Sequence, residues 1–506
     1  MNILRQLSFY AQNHGQNIAV RYQDRFLTYK ELDDYSGRLA NYIQNQCKDN
    51  KAPVAVYGHK DIYMIVCFLA AVKSGRAYCP LDISIPDSRI ESTIKAAQPS
   101  LIFALEDTSA DLGNAVSLED TISIIQEWEE AIDESFWVKG EDIFYIIFTS
   151  GSTGMPKGVQ ITANNLNHYL EWSVGLGTPV KDKIGKVFLN QAPFSFDLSV
   201  MDLYTCLACR GTLYLLDKET QLDFKKLMPA LKESDTAIWV STPSFADMCL
   251  ADKLFDSRQM PHIEAFLFCG ETLTNSTALK LMERFPKAVI MNTYGPTEST
   301  VAVTEVHVTK KLASRICPLP CGKPKPGTFL EIRKSDGSKA SPCESGEIII
   351  AGDTVSAGYF KRDDLTEKAF FNLEKEGKSY RAYRTGDKGY LDDDGNLYYE
   401  GRIDLQIKLN GYRIELEDIE KNLLHLKEIS HAVVVPNRKD GKVRSLTAFV
   451  MGDAKPSNPT LFSKSMKEKL REYLPSYMIP KKIIFLNQLP MNQNGKVDRK
   501  QLGGLV

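Results

Sequence analysis

Short apolar runs alternating with longer amphipathic ones dominate the first 300 or so residues, and this rhythm constrains the fold more than any other feature of the chain. Val54 to Gly58 predicts a strand, Asp61 to Lys73 a helix that stops near Gly75, and Ser100 to Ala104 the next strand. The expected fold class is therefore α/β, with layered α/β subdomains reaching to about residue 320. From Gly322 to Tyr399 the texture changes to brief β-rich runs such as Glu347 to Ala351, broken by Gly, Pro and Asp turns, and a small β-barrel or sandwich is expected over 321–402. Beyond Gly401 a charged segment, Arg402 to Glu420, leads into a helix, a strand at Ala432 to Pro436 and a helix over Ser463 to Tyr473. At 506 residues the chain exceeds what one core organises. The expected division is a core over 1–402 and a smaller α+β domain over 403–506.

The 62 basic and 64 acidic residues nearly cancel, which argues against a nucleic-acid partner. The N-terminus lacks the apolar core of a signal peptide, and the run Ile62 to Val72 is too short to cross a bilayer. A cytoplasmic protein without membrane insertion is expected. The ten cysteines are scattered, mostly in apolar segments, as reduced buried thiols are. The close pairs Cys206 with Cys209 and Cys317 with Cys321 have the spacing of half a zinc site, but neither has a second pair or histidine cluster nearby, and packing is the favoured reading.

Residues 149–158 read Thr-Ser-Gly-Ser-Thr-Gly-Met-Pro-Lys-Gly, directly after the apolar run Ile143 to Phe148. Such a loop can wrap phosphate oxygens, because glycines let the backbone approach closely while Ser150, Ser152 and Thr153 add hydroxyl donors. It is not the P-loop pattern, since Lys157 is followed by Gly158 rather than preceded by Gly and followed by Ser or Thr. By composition alone a flexible polar turn is the better reading. Four further strings follow in order, Asn292-Thr293-Tyr294-Gly295-Pro296-Thr297-Glu298, Tyr383-Arg384-Thr385-Gly386-Asp387, Gly401-Arg402-Ile403-Asp404 and Asn494-Gly495-Lys496-Val497-Asp498, and Leu27-Thr28-Tyr29 and Lys73 to Pro86 precede the loop. Together they resemble, across nearly the whole chain, the adenylate-forming superfamily of acyl-CoA synthetases, luciferases and peptide-synthetase adenylation domains.

That resemblance implies ATP as co-substrate and Mg²⁺ as its ion. The loop carrying Thr149, Ser150, Ser152, Thr153 and Lys157 is expected to hold the β and γ phosphates, with Thr297 at the α-phosphate and Glu298 on Mg²⁺. A carboxylate suits so hard a cation. Tyr294 is expected to stack on adenine, with Asn292, Thr293, Gly295 and Pro296 lining the base; Asp387 is expected to accept from both ribose hydroxyls, and Tyr399 and Arg402 to stand close by. Lys496 would bridge the substrate carboxylate and the α-phosphate, offsetting the repulsion of two anions brought together. The C-terminal domain is implied to be mobile, pivoting at Asp404 between two half-reactions.

In Asn190-Gln191-Ala192-Pro193-Phe194-Ser195-Phe196-Asp197 a single acid follows an aromatic run, where amino-acid-activating relatives keep an aspartate. A carboxylate there pairs with an α-ammonium and would stand uncompensated against a simple acyl acid. Leu198, Cys269 and Val301 leave room for only a small side chain. This set resembles the branch of the superfamily that loads D-alanine onto a phosphopantetheinylated D-alanyl carrier protein for the teichoic acids of Gram-positive bacteria. There the cysteine matching Cys269 crowds the α-carbon; a small buried hydrophobe explains that residue as well. The chain shows no carrier module, so the acceptor is expected to act in trans, and the basic stretch Lys464 to Lys469 is either a carrier contact or a solvated helix face. Glycine, L-alanine or a simple acyl acid as substrate, and a regulator that binds nucleotide without turnover, are the alternatives.

Overall fold

The computed structural model describes residues 2–149, 156–314, 318–439, 442–452, 456–490 and 497–506. Two large sheets form the body. In the seven-stranded sheet the neighbours run Gly358–Tyr359, Lys157–Thr162, Ile143–Thr149, Tyr78–Asp82, Val54–Gly58, Leu101–Ala104 and Val116–Ser117. Its interior pairs are parallel, whereas Lys157–Thr162 folds back antiparallel on Ile143–Thr149. The nine-stranded sheet has a parallel centre built from Val289–Tyr294, Ala265–Phe268, Ile238–Ser241, Val187–Asn190 and Thr212–Leu215, with antiparallel pairs at both edges.

Two helices are covered almost all the way round. Ile62–Lys73 buries every residue but Tyr63, and Leu198–Ala208 buries all eleven. A helix apolar on every side is stable in water only inside a layered protein, and both helices belong to the one apolar cluster that joins the two sheets. Asp61 caps the first helix by accepting from the Tyr63 N–H, and the helix ends at Ser74, beside the expected stop at Gly75.

The β-rich region after residue 322 is a five-stranded antiparallel sheet of Thr328–Arg333, Gly346–Gly352, Lys378–Leu391 and Phe370–Lys375, with Leu397–Arg402 paired to the long strand. Next comes a hairpin, Gln406–Leu409 with Tyr412–Glu415, and then a three-stranded sheet, His431–Lys439, Lys442–Met451 and Lys482–Phe485, flanked by the helices Leu416–Leu424 and Pro459–Leu470. These last elements share an apolar core of their own, from Ile407 to Ile483 in sequence. The final long helix begins four residues before the expected Ser463, because Asn458 caps it and Pro459 fits the first turn. No helix among the described residues is long and apolar enough to cross a membrane.

Candidate active site

The site lies where the body meets the C-terminal hairpin. The strand Val289–Tyr294 ends in Gly295-Pro296 and a single 3₁₀ turn, Thr297–Ser299. Gly295 admits no side chain, since a Cβ there would stand 2.6 Å from the Ala302 Cα. Thr300 and Val301 then take φ of 61° and 67°. Left-handed backbone at a β-branched residue costs of order 1–3 kcal/mol, and here it turns Val301 back so that its carbonyl lies 3.6 Å from the Cys269 Sγ.

Glu298 is fully buried on that turn and holds the densest charge cluster of the site. Arg413, from the hairpin, donates to both of its oxygens at 3.1 and 2.8 Å; the Tyr359 hydroxyl donates at 2.8 Å, and the Lys157 Nζ lies 3.8 Å away. Burial pushes the Glu298 carboxyl upward, but Arg413 and Lys157 outweigh it and hold the group well below the usual carboxylate range. Lys157 is lowered to about 8, by burial first and by Arg413 second, with Glu298 opposing both. The predicted metal ligand thus faces two cations, and one of them comes from a segment that the motifs left unassigned.

Asp387 is equally enclosed. Its Oδ2 accepts from the Tyr294 hydroxyl at 2.5 Å and its Oδ1 from the Arg402 Nη1 at 2.9 Å. Each carboxylate oxygen has a second lone pair, so ribose hydroxyls can still be accepted. The other edge of the Arg402 guanidinium clamps Asp404 through two bonds, 2.9 and 2.5 Å, and its Nη1 also reaches the Thr385 carbonyl at 2.7 Å. Tyr399 lies tilted against Tyr294 with ring centroids 6.1 Å apart. Asn292 and Thr293 spend their side chains on the Pro320 and Phe268 carbonyls, which leaves shape rather than side-chain polarity for a base.

Asp197 caps nothing by a side-chain bond; it stands at the start of the buried helix Leu198–Ala208, with its carboxylate toward the cleft wall. Burial pushes it up to about 6, and the Thr297 hydroxyl and Lys408 pull the other way. Burial also raises the Cys269 thiol, which is therefore not a thiolate nucleophile.

One continuous cavity is lined by Thr149, Asp197, Leu198, Cys269, Gly295, Pro296, Thr297, Val301, Asp387 and Arg402. A neighbouring one takes in Asn292, Thr293, Tyr294, Tyr399 and Arg402, and a third Lys157, Arg402, Asp404 and Arg413. Arg402 borders all three. Glu298 borders none, because Arg413 covers it. Ser150, Ser152, Thr153, Lys496 and Cys317 lie outside the described residues. Among the described residues no group of three His, Cys, Asp or Glu could hold a metal, and Cys206 and Cys209 are buried free thiols.

Sequence reasoning missed the hairpin. Its turn residue Gly411 donates its N–H to the Glu271 Oε1 at 2.8 Å, Tyr412 packs edge-on against Phe196 at 4.7 Å and stacks on Tyr477 at 3.6 Å, and Lys408 stands 5.8 Å from the Tyr294 ring centre. Within the charged run, the string Asn410-Gly411 marked a turn, but nothing local marked its neighbours as site residues. The basic helix face is partly engaged within the chain, with Lys469 paired to Glu428 and Lys467 donating to the Lys481 carbonyl.

The sequence model described as AMP-binding enzyme matches residues 7–360, and that of the AMP-binding enzyme C-terminal domain matches residues 418–496. A D-alanine--D-alanyl carrier protein ligase of Bacillus anthracis is 45% identical over 505 residues, covering 99% of each chain. Another, of Bacillus cereus, is 45% identical over 506 residues with the same coverage. The chain is an AMP-binding enzyme of the D-alanine--D-alanyl carrier protein ligase family. Among solved structures, the family's fold recurs in an NRPS protein with adenylation and PCP domains, at a TM-score of 0.84 and 26% identity over 99% of this chain and 84% of that one. It recurs also in a Vibrio cholerae adenylation domain in complex with glycyl-adenosine-5'-phosphate, at a TM-score of 0.83 and 24% identity over 100% and 96% of the two chains. An AMP-forming ligase is the activity class of the family, and the α/β body with a smaller C-terminal part is its architecture.

Proposed function

We propose that the chain activates D-alanine with ATP and passes the D-alanyl group to the phosphopantetheine thiol of a separate D-alanyl carrier protein, in the cytoplasm and for the D-alanylation of lipoteichoic acid. The observation that supports this reading is that Asp197, Thr297 and Asp387 border one cavity, so that an ammonium, an α-phosphate and a ribose can be met within a shared space. The family relatives, named for D-alanine and its carrier, point the same way.

In the first half-reaction a substrate carboxylate oxygen attacks the α-phosphorus and the bond to pyrophosphate breaks. Asp197 fixes the ammonium, Asp387 the ribose, and Tyr294, with the Asn292 to Pro296 backbone, the base. Thr297 donates to the α-phosphate, while Lys157 and the loop with Thr149, Ser150, Ser152 and Thr153 offset the charge of the β and γ phosphates. Lys496 completes the neutralisation between the two reacting anions. In the second half-reaction the carrier's sulfur attacks the acyl carbon, and AMP leaves with the bonding electrons. Asp404 serves as the pivot between these arrangements, and the division at 402/403 follows from it.

The Glu298 carboxylate suits Mg²⁺, which takes oxygen ligands and commonly needs only one or two carboxylates because the phosphates supply the rest. Such an ion would stabilise charge on the phosphate oxygens, and Arg413 must withdraw before Glu298 can hold it.

ATP–pyrophosphate exchange with D-alanine, L-alanine, glycine and a simple acyl acid tests the assignment. Exchange is expected to be fastest with D-alanine; a faster rate with any of the other three would reassign the substrate, and binding of ATP with no exchange at all would make the chain a nucleotide-binding regulator. Cys269→Ala is expected to reduce the D over L ratio of kcat/KM about 10-fold, the order a methyl-sized group contributes in a tight pocket. An unchanged ratio would leave the thiol a purely structural role.

A further inference from the structure

Beneath the cleft lies a buried charged chain that no part of the reaction described above uses. Lys60 follows the strand Val54–Gly58 of the seven-stranded sheet and is only 2% exposed. Its ammonium crosses to the other sheet, where it donates to the Asn190 Oδ1 and, at 2.5 Å, to the Ala192 carbonyl, and it stands 4.3 Å from the centre of the Phe194 ring. Asn190 ends the strand Val187–Asn190, and its Nδ2 donates to the Asp202 Oδ1 at 2.5 Å. Asp202 is fully buried on the same helix that Asp197 begins.

The chemistry of this chain has one direction only. An ammonium can only donate, so the Asn190 amide must present its oxygen to Lys60 and hence its nitrogen to Asp202. Three elements are thereby fixed to one another: the strand end at 190, the loop 191–197, and the helix from 198. The loop is held at its start by Gln191, which donates to the Gln221 Oε1 at 2.7 Å, and by ring contacts of Phe194 with Phe68 and of Phe196 with Tyr412; Lys60 adds a charged donor at the Ala192 carbonyl, inside the loop. Lys60 is also the cation nearest in the network to Asp202, whose Oδ2 has no hydrogen-bond partner among the described residues. A charged tie through the interior is costly to desolvate, and the contact it makes here sets the loop that carries the ammonium partner.

We propose that Lys60 is a positioning residue for the amino-acid subsite, holding the loop 191–197, and through it Asp197, in register with the helix Leu198–Ala208. The proposal rests on the reading of Asp197 as the ammonium partner, but not on the identity of the side chain beyond the α-carbon. Lys60 does not line the cavity that Ala192 and Asp197 border, so it acts through the loop and on one of the two substrates only.

The test is a comparison of steady-state constants for pyrophosphate exchange in the intact protein and in Lys60→Met, which keeps the apolar stem and removes the donor. KM for the preferred amino acid is expected to rise at least 10-fold, while KM for ATP stays within about 2-fold of the parent. The double variant Lys60→Met/Asp202→Asn leaves no isolated buried charge. It is expected to restore the melting temperature yet keep the raised amino-acid KM, so that a folding defect in the single variant does not decide the question. Parallel rises in both KM values, an unchanged amino-acid KM, or recovery of that KM in the double variant would each overturn the proposal. If the parent protein prefers an acid other than D-alanine, the same split is read with that acid; the failure of the substrate assignment and the failure of the Lys60 role thus register in different measurements.

Discussion

Glu298→Gln is expected to lower the free energy of unfolding by about 3–5 kcal/mol, the usual cost of removing one partner from a buried ion pair. The glutamate has no exposure, and its loss strands two cations, Arg413 and Lys157, in the space it neutralises. Arg413→Met should cost less. It leaves Glu298 with Lys157 at 3.8 Å and the Tyr359 hydroxyl at 2.8 Å, so the remaining charge keeps a cation and a donor. Urea unfolding of the two variants checks this order, and a larger loss in Arg413→Met would sink it. The sign of the pH dependence follows from the depressed Glu298 carboxyl. Its contribution is present above the unfolded carboxyl range and is lost only as pH falls through the lower folded value, so the gap between parent and Glu298→Gln persists through mildly acidic pH. In activity, Glu298→Gln is expected to reduce pyrophosphate exchange about 100-fold or more at fixed Mg²⁺, since an amide oxygen is a poorer partner for that cation than a carboxylate.

The second large effect concerns Asp197. Asp197→Asn is expected to raise KM for D-alanine about 100-fold or more while KM for ATP changes little, because the ammonium loses a charge-assisted partner in a partly buried site. Stability should move the other way. Burial lifts the parent carboxyl to about 6, above its ordinary value, so at neutral pH the folded protein carries an ionised group that it disfavours; the neutral amide relieves this by roughly 1–2 kcal/mol. Only the ionised parent binds an ammonium well. As pH falls through about 6 the carboxyl takes up a proton, and KM for D-alanine is expected to rise by up to 10-fold per unit below that point, a limb that the Asn variant lacks. A pH-independent KM in the parent between 5 and 7, or parallel loss of ATP affinity in Asp197→Asn, would remove Asp197 from the ammonium subsite.

What the chain discloses before folding depends on how local the physics is. The α/β layers are legible because Ile62–Lys73 and Leu198–Ala208 are apolar all round and Val54–Gly58 is apolar throughout, signals carried within a dozen residues. Asp197, Cys269, Thr297, Val301 and Asp387, each singled out from its local string, all border one cavity. Arg413 was not singled out. It sits in a charged run that reads as solvated surface, and it acquires its role only by meeting a carboxylate 115 positions earlier. Lys60 escaped for the same reason, since a lysine beside His59 and Asp61 has no local mark of burial. The helix Pro459–Leu470 starts before the expected Ser463 because the Asn458 side chain caps it and proline is accepted in the first turn.

Arg402 borders all three cavities and divides its donors between the Asp387 and Asp404 carboxylates. A guanidinium has five donors in a fixed fork, so a ligand that pulls it toward Asp387 loosens its grip on Asp404, and a shift of Asp404 alters what it offers Asp387. Thermodynamic reciprocity makes the two effects equal: by whatever factor a ligand at Asp387 biases the placement of Asp404, a displacement of Asp404 changes the affinity for that ligand by the same factor.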